Sequence, residues 1–493
     1  MQKFNNYING KWESPVSGNY FEDINPADSR DIVGLFPESN SDDVNRAVSN
    51  SRSAYRQWSR MPAPKRGDIL RKAGDIFTRR KVELAKIMTR EIGKPTFETE
   101  GDIQEAIDTC YYCGTETRRL FGHTVPSEME DKMNMSFRMP IGVCGIITAW
   151  NFPIAVPSWN IIPALACGNT VILKPSEESP HSALIFAEIL EEAGVPAGVF
   201  NVVCGDAKAG KAIVEHSDVN MIGFTGSTEA GKSIASVCGK TNKKVALEMG
   251  GKNPMIVMAD ANLEMAIDGA LWGGYGTTGQ RCTATSRIIL HEAIHDKFIS
   301  MLKEKVATLK LGSGLVIGND VGPVINGKAV EKITGYFDIA KEEGLTLEFG
   351  GKIAEGEGLE NGNFIEPTLY TNVPQDSRLF QEEIFGPVLV ATKVSSFDEA
   401  IATANNSDYG LSSSIYTNDV RETWVAIREL EAGITYINAP TIGAEAHMPF
   451  GGVKGTGNGH REGGWAVFDV YTEWKTVYID YSGQLQRAQI DNY

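Results

Sequence analysis

The spacing of apolar positions changes along the chain, and the changes divide it. Residues 7–40 carry short apolar runs broken by turn formers, and Ile8-Asn9-Gly10-Lys11-Trp12 predicts a hairpin. From Ser41, a residue able to cap, a helix is expected to about Trp58. Residues 63–91 bring Leu70, Ala73, Phe77 and Leu84 near one face at helical spacing, and Gly93-Lys94-Pro95 ends that helix. A further helix is expected over 98–120. The period then drops to two. Met133-Asn134-Met135-Ser136-Phe137-Arg138-Met139 alternates strictly, as a half-buried strand does, and such an inserted strand is expected to project and pair with another subunit.

From 141 onward short apolar runs alternate with helical stretches. The runs at 143–149, 170–173, 200–203 and Met221–Thr225 are separated by helical patterns near 158–166, 181–193 and 207–216. A second series spans about 254–440, with runs at 255–258, 287–290 and Ile434–Ile437. This predicts an α/β fold with two parallel-sheet domains. No Pro-, Ser- or charge-rich linker separates the two series, so a broad shared interface is expected. Length agrees: 493 residues allow two or three cores.

Charge and cysteine usage narrow the function. The net charge of −16 argues against nucleic acid or an anionic membrane as main partner. No run is long and apolar enough to span a bilayer, and Met1-Gln2-Lys3-Phe4-Asn5-Asn6 has no apolar signal core. Seven cysteines without a paired framework fit a reducing compartment, so a cytoplasmic protein is expected. Cys110 and Cys113 form the only close pair; with no second pair to complete a zinc site, they read as packing.

Several segments carry candidate chemistry. Gly226-Ser227-Thr228-Glu229-Ala230-Gly231-Lys232-Ser233 fits the phosphate-cradling pattern G-x-x-x-x-G-K-S, after a strand and opening a helix. With Asp260 ending the run Met255-Ile256-Val257-Met258-Ala259, it suggests a P-loop-like nucleotidase as the rival reading. A backbone nest at that helix start would equally hold a dinucleotide phosphate. Gly205-Asp206-Ala207-Lys208-Ala209-Gly210-Lys211-Ala212 is a degraded version of the same loop. His291-Glu292-Ala293-Ile294-His295 spells a zinc-protease motif, but it falls at a strand-to-helix junction, so its imidazoles would not share a helical face; no metal is expected. Cys282 lies in Gly279-Gln280-Arg281-Cys282-Thr283, after the Gly-rich stretch 272–278. Alone it reads either as a small buried hydrophobe or as a thiolate nucleophile.

Taken together the motifs resemble the aldehyde dehydrogenase superfamily nearly end to end. They stand in the family's order: Ala149-Trp150-Asn151-Phe152-Pro153, Lys174-Pro175-Ser176-Glu177, Phe224-Thr225-Gly226-Ser227-Thr228-Glu229-Ala230-Gly231, Leu247-Glu248-Met249-Gly250-Gly251-Lys252, Gly279-Gln280-Arg281-Cys282, Glu382-Glu383-Ile384-Phe385-Gly386-Pro387-Val388, and Pro449-Phe450-Gly451-Gly452. The resemblance implies NAD(P)-dependent oxidation of an aldehyde to an acid through a thiohemiacetal and a thioester on Cys282. Asn151 and the Cys282 amide would hold the oxyanion, and Glu248 would activate water. Relatives that pass the acyl group to coenzyme A lack a carboxylate at that place, so a hydrolytic enzyme is implied.

For the cofactor, the resemblance implies contacts from Thr148, Trp150, Lys174, Glu177, Gly205, Thr225, Gly226, Ser227, Met249, Glu383 and Phe385. Glu177 as a ribose partner favours NAD over NADP, while Lys174 leaves NADP possible. Arg281, Thr283, Gly443 and Ala444 are the implied substrate contacts, with Arg281 reaching a carboxylate on a semialdehyde. The run Thr441-Ile442-Gly443-Ala444-Glu445 is similar to the anchor loop of α-aminoadipic semialdehyde enzymes, whereas residues 279–284 resemble ketoglutarate semialdehyde enzymes. The implied domains are an NAD-binding unit (1–123 and 141–250, with 450–471 returning to it), a catalytic unit (251–449), and an oligomerisation arm (124–140 and 472–493). A homodimer or homotetramer is implied.

Overall fold

The computed structural model describes residues 1–490. Two seven-stranded sheets carry the helices. The first runs in the order Lys244–Glu248, Met221–Thr225, Val143–Ile147, Thr170–Lys174, Phe200–Val202, Asn6–Ile8 and Lys11–Glu13. Its first five strands are parallel, and the N-terminal hairpin adds two antiparallel ones. That hairpin turns at Asn9 and Gly10, φ 52° and 72°, the left-handed pair that matches strand twist. Val143–Ile147 and Thr170–Lys174 are buried at every residue, which is why they read as unbroken runs rather than alternation.

The second sheet is ordered Thr346–Phe349, Thr368–Thr371, Val388–Val394, Thr285–His291, Asn253–Val257, Ser412–Tyr416 and Ile434–Ile437. Only Thr346–Phe349 pairs antiparallel. Met255, Ile288 and Leu389 pack there against Phe298 and Leu302 of helix His295–Val306. The α/β class with two parallel sheets, expected from the period, is the architecture present.

Three helices precede the first parallel strand: Ser41–Arg60, Ala63–Ile92 and Thr96–Glu116. Ser41 is not the cap. Asn40 is, its side chain accepting from the Asp42 amide at 2.8 Å while the Asp43 carboxylate accepts from the Asn40 amide at 3.2 Å. Gly93 closes the second helix at φ 81°, where an added Cβ would lie 2.5 Å from Pro323. The third helix stops before 120, because Thr117 turns its hydroxyl back onto the Gly114 carbonyl. Leu70, Ala73, Phe77 and Leu84 are all buried in the core beneath these helices.

Lys132–Pro140 pairs antiparallel over its whole length with Thr472–Asp480 of the same chain, and Thr124–Pro126 lies on its other edge. Positions 491–493 of the C-terminal segment fall outside the described residues. Buried Asn169 anchors the root of this ribbon. Its carbonyl oxygen accepts from the amides of Ile141 (2.7 Å) and Gly142 (2.9 Å), and its amide donates to the carbonyls of Ala164 (3.1 Å) and Tyr471 (2.8 Å). Asn169→Ala strands four buried backbone groups and is expected to cost about 3 kcal/mol or more. Urea unfolding checks this; a native midpoint in the variant would refute it.

Candidate active site

The stretch around Cys282 lies between the end of helix Leu263–Tyr275 and strand Thr285–His291. The chain gets there through a strained turn. Thr277 and Thr278 are left-handed, φ 52° and 55°, although β-branched residues rarely are. Each such conformation costs on the order of 1–3 kcal/mol and persists only where surroundings enforce it. Gly279 follows at φ 67°, with the Gly386 carbonyl 2.1 Å from where a Cβ would be. The enforcement is visible. Glu98 accepts from the Thr277 amide at 2.9 Å, from the Thr277 hydroxyl, and from Arg281 Nη2 at 2.8 Å. Asn151 Nδ2 donates to the Gln280 carbonyl at 3.0 Å, and Asn253 Nδ2 donates to that of Cys282 at 2.8 Å.

Cys282 and Asn151 share the wall of a cavity of about 340 Å³. Trp150, Thr225, Gly226, Ser227, Met249, Glu383 and Phe385 line it too. Ser227 caps helix Thr228–Thr241, so the positive end of that helix opens on the cavity. Glu383 accepts from the Gly251 amide at 2.8 Å, and Gly250 has no room for a Cβ, which would lie 2.4 Å from Glu383 Oε2. Trp150 and Phe385 meet edge to face, centroids 5.8 Å apart. A long groove with a helix N-terminus along it and aromatic rings near the thiol fits a dinucleotide. Lys174, Glu177, Thr148 and Gly205 do not line this cavity. Lys174 is buried, 3.6 Å from the Glu177 carboxylate, and burial lowers its pKa. Glu177 borders a neighbouring cavity of about 350 Å³ that shares Ile325 and Asn326 with the first. Thr148 is buried at the adjacent strand end, and Gly205 precedes helix Ala207–Glu215.

The other side of Cys282 is apolar. Val156, Trp159, Leu411 and Phe450 form a buried cluster against which Phe152, Cys282 and Ala444 pack. Trp159 and Phe450 rings stand 4.8 Å apart. Of these only Phe152 and Phe450 fell within the motifs; Trp159 lies in a helix whose every residue is buried, so its pattern distinguished no face. Thr283 accepts through its carbonyl from the Thr441 hydroxyl at 2.6 Å, and Gly443 lies at φ 117° in the loop beyond.

Electrostatically the thiol is surrounded by acids. Burial pushes the Cys282 thiol up, the Glu383, Glu248 and Glu462 carboxylates push it further, and only the Thr283 amide pulls it down. Glu248 ends strand Lys244–Glu248 and turns behind the cavity. Its Oε2 accepts from the Gly452 amide at 3.3 Å, while Oε1 has no hydrogen-bond partner among the described residues. Burial holds this carboxyl well above the usual carboxylate range, and Glu462 adds to that while Arg461 opposes. Glu462 was not singled out in the sequence, being one acid in a polar, Gly-rich stretch. Packing makes it notable: Asn160 Nδ2 donates to it at 2.8 Å, the Thr225 hydroxyl at 3.4 Å, and burial raises it to about 7.

Other sequence expectations resolve differently. Arg281 is not a free guanidinium; it is paired with Glu98 and lies 4.7 Å from the Trp272 ring centroid. His291 ends a strand and His295 opens a helix, and among the described residues no group of three or more His, Cys, Asp or Glu is placed to hold a metal. The nucleotidase reading fails on geometry. Asp260 follows a strand of the other large sheet and is engaged by the Thr417 hydroxyl and the Asn418 amide, while Lys232 is exposed. Among the described residues no helix is long and apolar enough to cross a membrane.

Comparisons with known proteins agree with this geometry. The aldehyde dehydrogenase family model matches residues 12–477. An α-ketoglutarate semialdehyde dehydrogenase of Haloferax volcanii is 42% identical over 479 residues, 97% of this chain and 99% of that one. An α-ketoglutaric semialdehyde dehydrogenase of Bacillus subtilis is 39% identical, over 96% of this chain and 97% of its own. The structure of Staphylococcus aureus betaine aldehyde dehydrogenase in complex with NAD+ superposes with a TM-score of 0.95 at 34% identity, covering 98% of this chain and 95% of that one. An NADP-dependent enzyme of E. coli gives 0.94 at 36%, covering 97% and 98%. Of the seven cysteines six are buried, and Cys282 alone is half-open. Brief iodoacetamide treatment of the folded protein should therefore label one site, and Cys282→Ser should remove it; peptide mass spectrometry reads the outcome, and labelling elsewhere would contradict it.

Proposed function

The chain belongs to the aldehyde dehydrogenase family, and we propose that it oxidises an aldehyde to the carboxylic acid, with Cys282 as nucleophile, Asn151 as oxyanion donor and Glu248 as general base. The observation that carries this reading is the shared wall: Cys282 and Asn151 border one cavity with the Ser227 helix start, and Glu248 is buried behind it. The thiolate of Cys282 adds to the carbonyl carbon and gives a thiohemiacetal. Asn151 has two amide hydrogens; one is used on the Gln280 carbonyl, which fixes the plane of the group and leaves the other for the oxyanion, together with the Cys282 amide. Such aimed donors are worth about 3–4 kcal/mol each. The nicotinamide, when bound, takes up the hydride that leaves the substrate carbon. Glu248 then draws a proton from water as that water attacks the thioester carbon, so the acid leaves and the thiol is restored.

Trp150, Thr225, Gly226, Ser227, Met249, Glu383 and Phe385 would hold the dinucleotide in the main cavity, with Thr148, Lys174, Glu177 and Gly205 toward its adenosine end. NAD is the preferred cofactor, since Glu177 would repel a 2′-phosphate; Lys174 leaves room for NADP. The dinucleotide unit is 1–123 and 141–250 with 450–471, the catalytic unit 251–449, and the arm 124–140 with 472–493. Exposed Phe137, Trp474 and Tyr478 on the ribbon support a homodimer or homotetramer. Seven unpaired cysteines support a reducing, cytoplasmic setting.

The substrate class we infer is a semialdehyde that carries a carboxylate, as the names of the relatives at 42% and 39% identity suggest. Thr283, Gly443 and Ala444 would border it. A panel of charged and neutral aldehydes with NAD, followed by the absorbance of reduced cofactor, tests this. Semialdehydes should give the highest kcat/KM; preference for neutral aliphatic or aromatic aldehydes would refute the substrate class. Glu248→Gln should release about one equivalent of reduced cofactor in a burst and then stall. The sign of the pH dependence follows from the raised Glu248 carboxyl. The base must be deprotonated, so kcat rises with pH along a limb lying above the ordinary carboxylate range. Glu462→Gln removes a neighbouring negative charge, lowers the Glu248 pKa and should move that limb to lower pH. An unmoved limb in pH–rate profiles would contradict the coupling.

A further inference from the structure

We infer that Glu98 is a positioning residue that holds the Cys282 turn in shape, and that Arg281 serves as its counter-charge instead of reaching a substrate carboxylate. This rests on the reading of Cys282 as the nucleophile. Glu98 lies in the first turn of helix Thr96–Glu116, far in sequence from the turn it supports, and is buried. All three of its hydrogen-bond donors come from that turn: the Thr277 amide, the Thr277 hydroxyl and Arg281 Nη2. A buried carboxylate is costly unless its oxygens are satisfied and its charge is met. Here the turn supplies both.

The exchange also runs the other way. Thr277 and Thr278 hold left-handed backbone angles that no local preference favours. The amide of Thr277 is directed at Glu98 Oε1, so removing that acceptor leaves a buried N–H without a partner at the point of greatest strain. Five residues later in the chain stands the reactive sulfur. A rigid link this short transmits a small change of turn to the thiol, and reactions of this kind lose rate steeply with displacement of the attacking atom.

Arg281 is fully committed on this side. Nε donates to the Thr277 hydroxyl at 2.8 Å and Nη2 to Glu98, while the guanidinium lies between the rings of Trp272 and Phe152, at 4.7 Å and 5.5 Å. Among the described residues Glu98 is its only ion-pair partner. The neighbouring cation, Lys94, is closed in its own buried pair with Asp102 at 3.0 Å. Glu105 faces the same group of charges, and burial raises it to about 8. A substrate carboxylate approaching Arg281 would therefore meet a guanidinium already neutralised, in a layer that contains three acids and two bases.

The full-length native protein is compared with Glu98→Gln, Glu98→Ala and Arg281→Ala. Three readouts are taken: melting temperature, the rate at which iodoacetamide alkylates Cys282 without cofactor, and kcat and KM for succinic semialdehyde and butanal. Glu98→Ala should change the alkylation rate about fivefold or more and lower kcat about tenfold or more for both aldehydes, with KM within about twofold. Glu98→Gln keeps an acceptor for the Thr277 amide and should recover part of both losses. Arg281→Ala should lower kcat to a similar extent for the two aldehydes. A rise in KM confined to succinic semialdehyde in Arg281→Ala would overturn the proposal, as would native alkylation and native kcat in Glu98→Ala. If Glu98→Ala does not fold, Glu98→Gln carries the same readouts, and native values there overturn it. Absence of aldehyde oxidation in the native protein would sink the enzymatic reading instead, while the alkylation rates would still report on the turn.

Discussion

Cys282 is held in place by its backbone. A nucleophilic sulfur must stay unencumbered, so its position has to be set through the peptide groups around it. Asn253 fixes the Cys282 carbonyl, Asn151 fixes that of Gln280, and the Gln280 side chain accepts from the Ile325 amide at 2.9 Å. These ties reach into both large sheets: Asn253 opens a strand of the second, and Asn151 follows Val143–Ile147 of the first. The relative placement of the sheets is thus read out at a single thiol. Parallel sheets suit this task, because both present the carboxyl ends of their strands as a rigid rim on which loops can be mounted.

The second determinant is charge. Three acids, Glu248, Glu383 and Glu462, surround the thiol, and burial raises all of them. Such a set favours retained protons over ions. The thiol shares that tendency, so the resting site is a store of protons rather than an ion pair. Chemistry there starts by moving one of them. The segment 450–462 makes the arrangement possible, because it bridges to Glu248 through Gly457 and returns on itself between Phe450 and Glu462.

Much of this was legible in the chain, for definable reasons. The alternation at 133–139 and the unbroken run Met221–Thr225 each reflect one environment per face, so their period mapped directly onto strands. Boundaries were less secure where a cap competes: Ser41 has the right chemistry, but the reciprocal bond with Asp43 belongs to Asn40. Cys282, Asn151 and Glu248 stood out through their motifs. Glu462 and Glu98 did not, since nothing local marks them; their meaning comes from partners such as Asn160, 302 positions away, and Arg281, 183 positions away. Arg281 was visible as a charge beside the nucleophile, but the acid that occupies it was not.

The ribbon formed by Lys132–Pro140 and Thr472–Asp480 has a bearing on how the protein is made. Until nearly the whole chain has left the ribosome, the earlier strand has only Thr124–Pro126 beside it. Met133, Phe137 and Met139, still partly exposed in the finished fold, stay open to chance pairing throughout synthesis. Contacts this distant in sequence close late and slowly. The nascent polypeptide therefore carries an unfinished edge for most of its birth, which makes that edge the natural place for a chaperone to stand guard.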